Sequence, residues 1–203
     1  MARPPKISNE DILAAARQVF LVEGMGASTI TIAEKAGISE ASIFKRFSTK
    51  QALFLAAMGV TVEPDWAKAL AKKTPTVAIK SELIELCGQM LGFYQEVFPR
   101  ILMVMSQGKM RQAPPNIVPP PVHHKRLLAD FIARAMGKGY LRRGNPETIA
   151  IMIVGTLINS VTTQVMLNRL AGEIPGAPQS AAASKQLVQA LIDTLWVGIR
   201  PEG

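Results

Sequence analysis

The chain has 203 residues, 48% of them hydrophobic and only 19% charged, which suits one large or two small packed domains and excludes a disordered polymer. A formal charge of +8 and a pI near 9.9 favour a polyanionic partner, nucleic acid ahead of membrane because no strongly basic amphipathic segment occurs. The single cysteine excludes an intrachain disulfide and agrees with a reducing compartment.

The first six residues, Met1-Ala2-Arg3-Pro4-Pro5-Lys6, form a basic arm with no apolar stretch for a secretory machine, so a cytoplasmic location is expected. Residues 1–50 hold seven Lys and Arg against five Asp and Glu, so most of the charge excess lies further along. Ser8 with Asp11 reads as a capping box stapled by Ile7 and Ile12, and Ile12, Ala15, Ala16, Val19 and Phe20 recur at helical spacing until Glu23-Gly24.

Residues 28–47 then read as two short helices meeting at a sharp turn. Ser28 is a good N-cap for a helix with Ile32, Ala33 and Ala36 inward, and Gly37 ends it in the left-handed conformation that costs glycine least. Ile38 plugs the turn, Ser39 caps the second helix, and Ile43 and Phe47 share its inward face. Glu40, Ala41, Ser42, Lys45 and Arg46 are left outward, a small-then-basic surface suited to a major groove. Ser48 and Gln51 form a second capping box, which launches a helix through Leu53, Phe54, Ala57 and Met58 with Lys50 at its start and Pro64 expected to interrupt it.

This stretch resembles the DNA-binding domain of TetR-family transcriptional regulators. The resemblance runs from Ser8 to Leu55 through Ile32-Ala33, Ala36-Gly37-Ile38-Ser39, Ile43-Phe44, Phe47 and Lys50-Gln51-Ala52-Leu53. It implies double-stranded DNA as partner, with Ser28, Thr29, Ser39, Glu40, Ala41, Ser42, Phe44, Lys45, Arg46 and Lys50 as the DNA-facing residues, Lys50 on a phosphate. Arg3 or Lys6 is the candidate for a minor-groove contact. Two positions depart from the pattern: Phe44 stands where the family usually has a Tyr whose hydroxyl meets a phosphate, and Gln51 where it often has Glu.

From Thr76 onward the pattern is helical, with no alternating run to argue for a sheet. Ile79, Leu83, Leu86, Cys87, Met90 and Phe93 mark one amphipathic helix with Cys87 as a buried small hydrophobe, and Pro99 is read as opening another that reaches about Met110. Five prolines between Gln112 and Pro121 predict an extended connector. His123 and His124 diverge on a helix and have no partner at metal-ligand spacing, so no metal site is expected. The next helix carries Leu127, Leu128, Phe131, Ile132 and Ala135 to Gly137, and Gly139 to Glu147 is similar to the family's link between its seventh and eighth helices.

Residues 146–170 and 184–199 are the last two helices. The most apolar run, Ile149 to Ile158, falls short of a bilayer span, and no membrane contact is expected. Leu187, Val188, Leu191, Ile192, Leu195 and Trp196 form a stripe broader than one small core absorbs; with Val161 they are the homodimer contacts that the resemblance implies. The resemblance also places a pocket for an unidentified small-molecule effector among Trp66, Met90, Phe93, Met103, Phe131, Met152, Thr156 and Asn159.

The expected protein is thus all-α with about nine helices: a helix-turn-helix domain at residues 1–50 and a larger helical ligand-binding and dimerisation domain at 51–203. Its expected function is repression from a near-palindromic operator, relieved by a largely apolar ligand. A helical protein-interaction module is the alternative. An enzyme ranks last, since the chain has no phosphate loop, no nucleophile elbow and no helical His pair with a nearby base, and neither a catalytic site nor a cofactor is expected.

Overall fold

The computed structural model describes residues 7–61, 63–106, 119–171 and 180–201. Arg3, Lys6, residues 112–118 of the proline-rich connector and the side chain of Met103 lie outside them. The described residues form nine α-helices and one 3-10 turn, with no strand among them. They fall into two compact units, one of residues up to 61 with 100–106, the other from Glu63 to Pro99 and from residue 119 onward.

In the first unit, α1 (Asn9–Glu23) packs against α2 (Thr29–Ala36) and α4 (Lys50–Ala57), and α2 against α3 (Glu40–Arg46). Its core joins Ile12, Ala16, Phe20, Ile32, Ile43, Leu53 and Phe54, with the Phe20 and Phe54 rings edge to face at 5.0 Å. Burying one such side chain is worth roughly 1.5–3 kcal/mol. The capping box on α1 forms as expected: the Ser8 hydroxyl accepts from Asp11 N, and Asp11 accepts from both the Ser8 amide and its hydroxyl.

Around α4 two expectations are corrected. Its cap is Thr49, in extended conformation, whose hydroxyl accepts from Ala52 N at 3.0 Å; Ser48 lies one residue too early to reach the second or third helical amide. Pro64 does not interrupt this helix. The chain leaves it at Gly59, whose φ of 80° allows Gly59 N to donate to Ala56 O and Val60 N to Leu55 O, and Pro64 instead precedes α5 (Asp65–Lys72) as its N-cap. Leu53, Phe54, Leu55, Ala57 and Met58 all lie in the first unit's core, so this unit continues past residue 50.

The second unit holds α5, most of α6 (Ile79–Ser106), α7 (Pro120–Gly137), α8 (Pro146–Leu170) and α9 (Ala181–Ile199), with α7 packed on α8 and on α5. Pro99 does not open a helix: α6 runs unbroken through it for 28 residues. The proline denies Gln95 O its helical donor, but buried Val97 and Pro99 sit on a packed face that outweighs the lost bond. Helix α7 likewise begins inside the proline run, with Pro119 as N-cap and Pro120 and Pro121 in its first turn, where a missing N–H costs nothing. Helix α8 forms over the expected range, with Asn145 accepting from Thr148 N at 3.0 Å. As a whole helix, Pro146–Asn168 is long and apolar enough to cross a bilayer by length and composition, which the shorter run in the sequence did not suggest. Its residues Ala150, Ile153, Val154, Leu157, Val161 and Val165 are buried within the protein.

Candidate nucleic-acid interface

The geometry of the turn between α2 and α3 follows from local chemistry. Gly37 has φ 67° and ψ 32°, and the amides of Gly37 and Ile38 donate to the carbonyls of Glu34 and Ala33, closing α2 in a motif that a β-carbon would strain. Ser28 and Ser39 cap the two helices, accepting from Ile30 N and Ser42 N, while Ile32, Ala33 and Ile43 are buried between them and Ile38 and Phe47 pack at the edge. One side of α3 is therefore fixed inward, and the other is free to meet a partner.

The outward residues differ in how free they are. The Glu40 carboxylate accepts from the Thr29 hydroxyl, tying the first turn of α3 to the first turn of α2. The Ser39 and Ser42 hydroxyls share a hydrogen bond of 2.8 Å. Arg46 Nη1 donates to Ile7 O at 2.7 Å and to Asn9 Oδ1 at 3.3 Å, so its guanidinium anchors the start of α1 instead of reaching outward as the sequence suggested. The reason is planar geometry: a guanidinium at the end of α3 meets the Ile7 carbonyl just before α1 and the Asn9 side-chain oxygen at its first residue. Ala41 and Lys45 are exposed, and Phe44 keeps 38% of its surface open. Lys50 is half-exposed in the first turn of α4. An ammonium thus stands at the positive end of a helix dipole, an arrangement that suits a phosphate.

Residues 12–57 match the family model for bacterial regulatory proteins of the tetR family. This stretch is a DNA-binding domain of the tetR family. No curated protein matches the chain. Among solved structures it is similar to the fatty acid degradation regulator FadR from Bacillus halodurans, with 21% identity, TM-score 0.61 and coverage of 96% of this chain and 98% of that one. It is also similar to a TetR-family regulator from Pectobacterium atrosepticum, at 16%, 0.59, 96% and 95%, and to SmeT in its triclosan complex, at 17%, 0.63, 96% and 92%. Identities this low speak for the fold alone.

In the second unit, the residues expected to line one pocket separate. Trp66 and Phe131 line a cavity of about 160 Å³ with Leu70, Leu86, Lys73 and Glu82. Met90 is fully buried and Phe93 belongs to an adjoining aromatic group, whereas Met152, Thr156 and Asn159 do not point inward. Met152 and Asn159 are exposed, and the Thr156 hydroxyl donates to Met152 O at 2.7 Å, satisfied by its own helix. The residues expected at the pairing surface separate too. Val161, Val188 and Ile192 are buried within their own chain and have no surface for a partner; Leu187, Leu191, Leu195 and Trp196 are half-buried. The uncovered apolar side chains are instead Ile151, Met152, Met166, Leu167 and Leu170 of α8 and Val197 of α9.

Sequence reasoning missed His124. It is 2% exposed, shares a 3.1 Å hydrogen bond between its Nδ1 and Tyr94 Oη, and lies edge-on to Trp66 at 4.6 Å and Phe93 at 5.3 Å. Burial holds its pKa down to about 4; His123 pushes it the same way, and Glu63, 3.1 Å from His123 Nε2, opposes them. The signal was available in the spacing, because position 124 falls on the same face as Leu128, Phe131, Ile132 and Ala135. The Trp66 indole N–H is also buried and has no acceptor among the described residues. Those residues contain no group of three His, Cys, Asp or Glu placed to hold a metal ion.

Proposed function

We propose that this protein is a homodimeric repressor that binds a near-palindromic operator and is released by a small, largely apolar ligand. The observation that carries the dimer is the uncovered stripe on α8. Met152, Met166 and Leu170 recur at helical spacing with exposures of 42%, 64% and 85%, a face that water solvates poorly and a second copy of the helix would bury. A two-fold dimer matches an operator whose half-sites are centred about 34–36 Å apart, one turn of duplex DNA.

Two features support a ligand. Trp66 and Phe131 give the cavity an aromatic lining, and the buried indole N–H of Trp66 calls for a hydrogen-bond acceptor that no described residue provides. SmeT, of similar fold, is solved with triclosan, a small ligand of the kind proposed. Release needs only a coupling of about 1–3 kcal/mol between ligand and DNA.

Light scattering after size exclusion, combined with selection from random duplex DNA at two salt concentrations, tests this reading. The expected result is a particle of twice the chain mass, a consensus with two-fold symmetry and affinity that falls steeply with salt. A monomer that selects an asymmetric site refutes the dimer. Binding that ignores salt refutes the DNA interface.

A further inference from the structure

The outward side of α3 has fewer free polar groups than its sequence promises. Glu40 is held by Thr29, Arg46 by Ile7 O and Asn9, and Ser42 by Ser39. What remains is Lys45 together with apolar surface: Ala41 and the partly exposed ring of Phe44 on α3, and on α2 Ile30, which is 56% exposed. Large apolar side chains open to water in a DNA-binding domain ask for a counterpart. The edges of guanine, adenine and cytosine in the major groove are hydrogen-bonding groups, which lose water against a phenyl ring and gain nothing in return. Thymine alone presents a methyl group there.

We infer that Phe44, with Ala41 beside it on the helix surface, reads the C5-methyl group of thymine in the operator half-site. The inference rests on the reading that α3 enters the major groove, and it gives a role to the residue that lacks the phosphate-binding hydroxyl. Specificity then comes from hydrocarbon contact at one or two base pairs, while Lys45 and Lys50 supply hydrogen bonds and charge.

The experiment uses the full-length protein and its consensus from random duplex DNA. Each thymine is replaced singly by deoxyuridine, which keeps every hydrogen-bonding group and removes only the methyl. At one or more thymines in the half-site the affinity is expected to fall about three- to fivefold, the value of one buried methyl group. In Phe44→Ala the same replacement should have little effect at that position, and Phe44→Leu should retain part of it. Circular dichroism checks that both variants fold, and the wild-type series needs no variant at all. The inference is overturned if every uridine duplex binds as tightly as its parent, if the consensus half-site lacks thymine, or if the uridine effect persists unchanged in both variants. Failure to select any DNA would overturn the groove reading and this inference together; selection followed by indifference to the methyl overturns this inference alone.

Discussion

Lowering the pH from 7.5 to 5 should destabilise the second unit through a single buried imidazole. His124 titrates at about 4 in the folded protein and near the ordinary histidine value of 6.5 once unfolded. Between these values the unfolded chain binds the extra proton and the folded chain does not, so stability is full above about pH 6.5 and is lost as the pH falls towards 4. Integrating that difference gives a loss of about 2 kcal/mol at pH 5, a sizeable share of the 5–15 kcal/mol by which domains are usually stable. Urea titrations of wild type and the double variant His124→Phe/Tyr94→Phe, at fixed protein concentration, isolate the effect from other titrating groups. The second substitution avoids stranding the Tyr94 hydroxyl that His124 now satisfies. The wild type should lose about 2 kcal/mol more than the double variant across this range, and Tyr94→Phe alone should keep most of the slope. Parallel stability curves for wild type and double variant would refute the reasoning, since an imidazole that stays neutral to pH 4 cannot be silent.

The remaining predictions concern the first unit. Lys45→Ala should shift the base preferences recovered from a randomised-operator selection, whereas Arg46→Ala should weaken binding without changing them, because Arg46 holds Ile7 and Asn9. A new consensus for Arg46→Ala would contradict its anchoring role. Lys50→Ala should weaken binding to all sequences and reduce the slope of log affinity against log salt by about 0.9 for each phosphate it no longer neutralises; an unchanged slope removes Lys50 from the interface. Thr49→Ala should cost about 1 kcal/mol in urea unfolding and Ser48→Ala almost nothing, the reverse of what the capping-box pattern at Ser48 and Gln51 implies.

Where residues near in sequence decide the outcome, the sequence was readable. Ser8, Ser28, Ser39 and Gly37 cap or end their helices as the pattern suggests, and Ile32, Ala33 and Ile43 are buried between the two helices as their spacing requires. A cap involves only a few residues and the inward face of a short helix has only one place to go, so neither waits on the rest of the fold. Pro99 misled because proline is a local preference, overridden where a long helix gains more from burying its face than it loses in one hydrogen bond.

Composition and local pattern alone determined that the chain is helical, that a helix-turn-helix stands near its start, and which face of that motif is buried. Only the tertiary structure decided which outward residues stay free, since Arg46 is claimed by Ile7, 39 residues away, and His124 by Tyr94, 30 residues away. It decided too that Val161, Val188 and Ile192 belong to their own chain's core while Met166 and Leu170 remain uncovered. The reason is that a helical stripe records how much apolar surface must be buried, and not which neighbour buries it.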